Sequence, residues 1–277
     1  MLNLHRPQLV LGLLVLQFAL AGLAPMLCPH PNQTNMDAVF RPWGARQRAF
    51  RDWLGTDSLG RSNLARLLEG ARTSLGLAAV AGLSAGMLGC CGAALLSLLP
   101  MFCQVGLRSV LMLDFSLPYL LILLVGRALI GTGSIALLGL FSFALTSTAV
   151  FILDGALKQI LQHPSFDMFS DLGVPRRVVW MRHVLPQLLW RLPELLCLLM
   201  SASIFAEAGL TYLGVGIIPP RASLGVILAD GLECWEIAPA VVWPALILFM
   251  SCLLFWRWCI SALRQTREMA FYAQPIR

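Results

Sequence analysis

The sequence predicts an all-α, polytopic membrane protein with about six transmembrane helices. Three observations carry that reading. The 277 residues are 58% hydrophobic and 12% charged, where a soluble domain is about 25% charged. The apolar residues gather in runs near the ~20 residues that cross a bilayer as a helix. Between the runs lie polar segments with most of the charge, chiefly 29–72 and 154–191. This distribution excludes a soluble enzyme, a disordered tail and a coiled coil.

The first run, 9–27, follows a short basic start at His5 and Arg6. No small-x-small cleavage site follows it, so it reads as a retained helix rather than a signal peptide. The second, 74–99, carries Gly82, Gly86 and Gly89. Small residues at that spacing let helices approach closely in lipid, so this face reads as packing. The third, 110–129, contains Asp114 and Pro118; the fourth is 134–153; the fifth, 195–213, has Glu207 near its end. The sixth, 240–260, closes on a polar tail with Arg264 and Arg267. The chain thus divides into 1–28 (N-terminus and first helix), an external segment 29–72, and a core 73–277 of five helices. That core includes a cytoplasmic loop 154–191 and an external loop 214–239.

The net charge is +6, and Lys158 is the only lysine. In a membrane protein such a balance reflects loop charge. No compact basic patch interleaved with aromatics is present, so nucleic acid is not expected as a partner. Six helices put both termini on one side. The tail and the 154–191 loop favour that side as the inside, while the seven arginines of 29–72 argue the other way. Most of the eight cysteines lie in apolar runs, where cysteine is a small buried hydrophobe. No C-x-x-C exists, so no metal or redox framework is expected. Cys28 and Cys234 both fall in external segments, and their pairing stays open.

Several chemistries lack their parts. A P-loop needs a lysine after its glycines, and Lys158 sits in Ala-Leu-Lys-Gln. The four histidines lie outside the runs, so no intramembrane Ser–His pair or H-E-x-x-H is present. An intramembrane enzyme is therefore the weaker alternative. An ATP-independent channel or secondary transporter is the other; it would carry inverted repeats and mid-membrane ionisable groups. Asp114 and Glu207 are the acids inside spans. A structural ion pair or cap is the plainer role for each, with Arg127 or Arg221 as partners of Glu207, or a cap on an external gate.

The stretch 163–186 has its own logic. Ser165 suits an N-cap, and Phe166, Met168, Phe169 and Leu172 give a short helix an apolar face. Gly173 stops it, and Pro175 opens a second helix bearing Arg176, Arg177 and Arg182. An amphipathic helix on lipid and a knob in a partner's groove both fit.

This stretch, with its Gly173-to-Pro186 spacing, resembles the EAA loop of bacterial ABC importer permeases. Trp53-Leu54-Gly55-Thr56-Asp57-Ser58-Leu59-Gly60-Arg61, followed by 66–75, resembles the signature before the second helix in dipeptide, oligopeptide and nickel permeases. Pro118 with Gly131-Thr132-Gly133 resembles that branch's third helix and its exit turn. Ala206-Glu207-Ala208-Gly209-Leu210-Thr211-Tyr212-Leu213-Gly214-Val215-Gly216, then Pro219-Pro220 and Gly225, resembles its fifth helix and external loop. There are departures. Asp167-Met168-Phe169 stands for Glu-Ala-Ala, Ser62 for Asp and Leu224 for Trp. Met112 holds the usual Asp position, and Thr146-Ser147-Thr148-Ala149-Val150 replaces an aromatic–Arg cluster.

The resemblance implies a type I importer permease of the second permease type, in the bacterial inner membrane with both termini cytoplasmic. It implies a heterodimer with a homologous permease, two cytoplasmic ATPase subunits and an external solute-binding protein. Transport would be by alternating access. ATP and Mg would be bound by the ATPases, with no cofactor, metal or catalytic residue in this chain. Coupling to the ATPases falls to Ser165, Phe166, Asp167, Met168, Phe169, Leu172, Gly173, Arg176 and Arg177. Binding-protein contact or gating falls to Gly55, Thr56, Asp57, Gly60, Arg61, Glu207, Pro219 and Pro220. Peptide, nickel and a metal–opine chelate (a metallophore complex) all remain as substrates.

Overall fold

The structure, a computed structural model, describes residues 12, 15–19, 21–42, 53–116, 119–131, 133–162, 174–236 and 242–272. These are helical apart from turns and loops, with one isolated bridge between Thr56 and Ser62. The longest helix, α1 (Asn63–Leu98), has 36 residues and so extends about 54 Å. Ser62 caps it, its Oγ accepting from the Ala65 N–H at 3.4 Å. Ser62 holds the place of the family's Asp, and both residue types cap well. Pro100 follows the helix closely and cannot continue it.

Next come α2 (Met101–Ser116), α3 (Tyr119–Ile130) and α4 (Ser134–Leu161). A run at 176–189 leads into α5 (Leu192–Tyr212), and then follow α6 (Leu224–Glu233) and α7 (Val242–Tyr272). Among the described residues, four stretches are long and apolar enough to cross a membrane: Asn63–Leu98, Ile135–Leu161, Arg177–Tyr212 and Val242–Leu263. The first apolar run is helical at 15–19 and Ala24–Leu27 and packs on α7. There Phe18 meets Trp256 edge to face at 6.2 Å, and Gln17 Nε2 donates to Cys252 Sγ at 3.2 Å.

The expected third helix over 110–129 coincides with α2 and α3, which are helical on either side of residues 117–118; those two residues, Pro118 among them, lie outside the described residues. The fourth helix also runs past 153 to Leu161, and the stretch 174–191 is largely helical. Polar groups can ride on these helices because they bond one another. Asp154 accepts from Arg108 Nε and Nη2 at 2.8 and 2.9 Å, and Lys158 Nζ lies 3.3 Å from it.

Packing centres on α1. Lipid tails are as apolar as leucine, so helices in a membrane are held by close contact rather than by escape from water. The small residues of α1 permit that contact. A Cβ on Gly89 would stand 2.4 Å from Ala149 Cβ, and one on Gly92 would stand 2.5 Å from Val150 Cγ2, both on α4. On Gly82 it would meet Met200 Cγ at 2.9 Å, and on Gly86 Leu196 Cδ2 at 3.0 Å, both on α5. Ser84 Oγ adds a bond to Ser142 Oγ at 2.7 Å. The outer surface is apolar instead: Met87, Leu95, Phe102, Leu129, Phe143, Ile247 and Leu254 are all exposed.

Gly89→Leu is expected to overpack the α1–α4 contact by about 1–3 kcal/mol. Gly76→Leu, with no atom within 4 Å of its Cβ position, is expected to be neutral. Thermal unfolding of the two variants in detergent checks this, and equal midpoints would sink the packing account.

Candidate functional site

The start of α1, the end of α5 and the whole of α6 meet at one end of the bundle. The residues 54–62 fold there into a compact loop around Asp57. Its Oδ1 accepts from the N–H of Leu59 and of Arg61 at 3.0 and 2.8 Å, an Asx-type turn. Its Oδ2 accepts from Arg61 Nε and Arg66 Nη1, each at 2.7 Å. Gly60 has φ +69°, and a Cβ there would fall 1.8 Å from Asn35 O. Only glycine fits, for two reasons at once. Gly55 also has positive φ, and its carbonyl accepts from the Asn63 N–H at 3.0 Å. Thr56 Oγ1 donates to Ala38 O and accepts from the Arg41 N–H. The segment 35–41 is thereby stitched onto the loop.

A second polar knot lies one helical stripe further along. Glu207 of α5 is 1% exposed. It accepts from Ser74 Oγ of α1 at 2.9 Å, Thr211 Oγ1 at 2.9 Å and Ser223 Oγ at 2.7 Å. Ser74 Oγ in turn accepts from the Leu224 N–H at 3.1 Å, and Ser223 caps α6 through the Val226 N–H at 3.0 Å. The expected ion pair of Glu207 with Arg127 or Arg221 is not what forms. A carboxylate has about four acceptor positions, and neighbouring hydroxyls fill them without a second charge entering the membrane.

Arg127 is held by carbonyls. Nε donates to Val215 O at 2.9 Å, Nη1 to Gly131 O and Gly133 O at 2.7 and 3.0 Å, and Nη2 to Gly216 O at 3.3 Å. It closes the C-terminal turn of α3 against the loop after α5. The carbonyl ends of helices carry partial negative charge and suit such a cation.

These knots share one stripe of α1. Arg66, Gly70 and Ser74 are spaced by four and face α6. Arg66 Nη1 lies 3.0 Å from Asp230 Oδ2. A Cβ on Gly70 would stand 2.8 Å from Ile227 Cδ1. Ser74 bonds the backbone at Leu224. So α6 lies antiparallel along the first three turns of α1, in direct contact.

Among the sequence-derived candidates, Gly55, Thr56, Asp57, Gly60 and Arg61 come together in one loop. Glu207 stands apart from them at the other end of α6, and Pro219 and Pro220 lie exposed between α5 and α6. Ser165, Phe166, Asp167, Met168, Phe169, Leu172 and Gly173 lie outside the described residues, as does the side chain of Arg176; Arg177 is exposed. The side chain of Asp114 is likewise outside them. The sequence reading missed the roles of Asp230, Ser74 and Ser223. Asp230 sits 164 residues from Arg66, and no local pattern announces such a pair. The only available signal was an acid in the external loop without a helical partner. Cys28 and Cys234 carry thiols rather than a shared disulfide. Among the described residues, no group of three or more His, Cys, Asp or Glu is placed to hold a metal ion.

Glu207→Ala strands three buried hydroxyls. It is expected to cost about 2 kcal/mol or more, while Glu207→Gln, which keeps one acceptor oxygen, costs less. Denaturation in detergent checks the order, and equal losses would refute the hydroxyl cradle. Cys234 supplies a pH test. Burial, then the charges of Glu233, Asp230 and Asp57, push its thiol up. The thiolate is the reactive form, so maleimide labelling of Cys234 is expected to rise only above the ordinary thiol range. Asp230→Asn should bring that midpoint down. An ordinary midpoint in the unmodified chain would contradict the acidic setting.

Comparison with known proteins places this architecture. No family model matches the chain. It is 30% identical over 264 residues to the oligopeptide transport system permease protein of Mycobacterium bovis, covering 88% of this chain and 81% of that protein. It is 29% identical over 228 residues to the dipeptide transport system permease protein of Bacillus subtilis, covering 80% and 68%. Over 211 residues it is 28% identical to the glutathione transport system permease protein of Pectobacterium atrosepticum, covering 73% and 68%. With its helical spans, its apolar outer surface and these relatives, the chain is a multi-pass membrane protein and belongs to the permease family of the dipeptide, oligopeptide and nickel ABC importers.

Proposed function

We propose that this chain is the second-type permease of a binding-protein-dependent ABC importer that moves short peptides inward. The observation that carries the substrate class is the set of relatives, named for dipeptide, oligopeptide and glutathione transport; glutathione is itself a short peptide. The end bearing the 54–62 loop, Pro219, Pro220 and α6 faces outward and meets the solute-binding protein. The opposite end, with both termini, faces the cytoplasm. At the outward end the polar groups of the motif loop, Thr56, Asp57 and Arg61, are buried and shape the loop from within, so that Trp53, Ser58 and Leu59 are what it presents to the binding protein, while the flanks of the bundle are apolar and suit lipid.

A homologous permease completes the conduit, and two ATPases supply the energy. The stretch 165–173 is the knob that enters the ATPase groove. Asp167 keeps the usual acid, while Met168 and Phe169 replace the two usual small residues, so the groove must be shaped for Met and Phe. Arg176 and Arg177 begin the helical run that leads into α5. ATP and Mg bind to the ATPases. In this reading the chain contributes no catalytic residue, and its single lysine, Lys158, follows Ala-Leu rather than the glycines of a phosphate loop.

The experiment is ATP-dependent uptake by the assembled transporter, with labelled di- and tripeptides and with nickel, with and without chelator. Peptide uptake is the expected result, and nickel uptake in its place would overturn the substrate class. Phe169→Asp should abolish uptake and ATPase association while the chain remains inserted. Normal uptake by that variant would end the docking assignment.

A further inference from the structure

The short helix α6 is fastened at both ends, and the two fastenings differ in kind. At its start, Ser223 and Leu224 are fully buried and bonded to Glu207 and Ser74. Gly225 leaves no space there, since a Cβ would stand 2.9 Å from Ala208 Cα. At its end the fastening is ionic. Asp230 Oδ2 lies 3.0 Å from Arg66 Nη1 and 3.4 Å from Arg61 Nη2. The Asp230 side chain is 30% exposed, against 2% for Arg66.

Resting on the importer reading above, we infer that Asp230 is a positioning residue of the outer gate. Its pairs with Arg61 and Arg66 latch α6 shut, and the Glu207 knot serves as the hinge about which α6 swings. Two features make this latch releasable. Both arginines also bond Asp57, at 2.7 Å each, shorter than their bonds to Asp230. When Asp230 departs, neither guanidinium is left buried without a carboxylate, so the usual penalty for breaking a buried pair is avoided. Arg66 Nε and Nη2 are also buried with no acceptor among the described residues. The closed arrangement therefore leaves donors unsatisfied. A competing acceptor, water or a carboxylate from the docked side, can reach the cluster only where Asp230 already meets solvent.

Cys234, one turn beyond Asp230, is a native reporter of this end of α6. The measurement is its labelling by a membrane-impermeant maleimide in the assembled transporter, read by mass spectrometry across pH. The alkaline plateau reports access; the midpoint reports charge. Asp230→Asn should raise the plateau about tenfold, the population shift of a destabilised closed state. Asp230→Glu should restore the low value. In the unmodified complex the plateau should rise when loaded binding protein and ATP are added. A plateau unchanged in both Asp230→Asn and Asp230→Ala, with the complex assembled and importing, would overturn the latch. Failure of the unmodified complex to import any peptide, nickel or nickel chelate would instead refute the importer reading, because the plateau is measured without transport. A purely structural Asp230 would shift stability while leaving the response to binding protein and ATP unchanged, and that result also counts against the latch.

Discussion

The close approach of α1 to its neighbours is the contact on which everything else in this protein rests. Within lipid, burial of apolar surface does not distinguish a helix from a hydrocarbon tail, so van der Waals fit must hold the bundle. Gly82 and Gly86 admit α5, while Gly89 and Gly92 admit α4. One helix thus sits in two grooves. The same helix then carries Arg66, Gly70 and Ser74 to α6 on its remaining stripe. A side chain of even one carbon at Gly89 would push α4 away and displace Ser84 from Ser142. At Gly70 it would press on Ile227 and Ser223 and move the whole polar end.

That scaffold lets the two ends treat their buried polar groups differently. At the end bearing α6, the membrane-embedded acid Glu207 is hydrogen-bonded by hydroxyls and the cation Arg127 by carbonyls. Neither needs a counter-charge, so each can sit near the apolar region without recruiting a long partner side chain. At that end Asp57, Arg61, Arg66 and Asp230, two of each sign, form one charged cluster, and Arg72 Nη1 lies 3.5 Å from Glu69 Oε2 beside it. At the other end Asp154 is clasped by Arg108 and Lys158, while Arg191 Nη1 donates to Gln159 Oε1 at 3.1 Å. Buried charge is costly unless paired, and each end pairs its own. No charge has to travel through the core between them.

The fold class was legible because composition and run length report directly on lipid exposure. The glycine face of α1 was legible for the same reason, as small-residue spacing has one dominant use in a membrane. The 54–62 loop could be found by its motif, and its glycines explain themselves once φ and the Asn35 contact are known. The third crossing was legible as an apolar helical run, and α2 and α3 occupy it on either side of residues 117–118. The partners of Glu207 were not legible. Serine and threonine are common in spans, and which of them meet depends on the α1–α5–α6 packing. Ser74 and Ser223 lie 133 and 16 residues from Glu207, respectively. An acid in a span invites the guess of a basic partner, and here the guess fails because Arg127 is already taken by carbonyls.

The construction of α5 bears on how motion can cross the protein. Ahead of it, Trp180–Val184 form a π-turn, with the Leu185 N–H bonding Trp180 O. Pro186 follows at once and offers no N–H to the turn before it, so a wider turn there is the local way to keep the chain helical. Val184 and Trp180 still pack on Leu157 and Ile160 of α4. The irregularity is therefore seated against a neighbour rather than loose. From Leu192 onward the helix is regular up to Tyr212, and it carries Glu207 near its far end. A displacement applied beyond the π-turn thus has two routes: it can be absorbed at the turn, or it can move α5 as one piece. Only the second reaches Glu207, and through Ser223 it reaches α6. Among the described residues, the hydroxyl knot is where side-chain bonds join α1, α5 and the start of α6, so a shift of α5 against α1 is felt there.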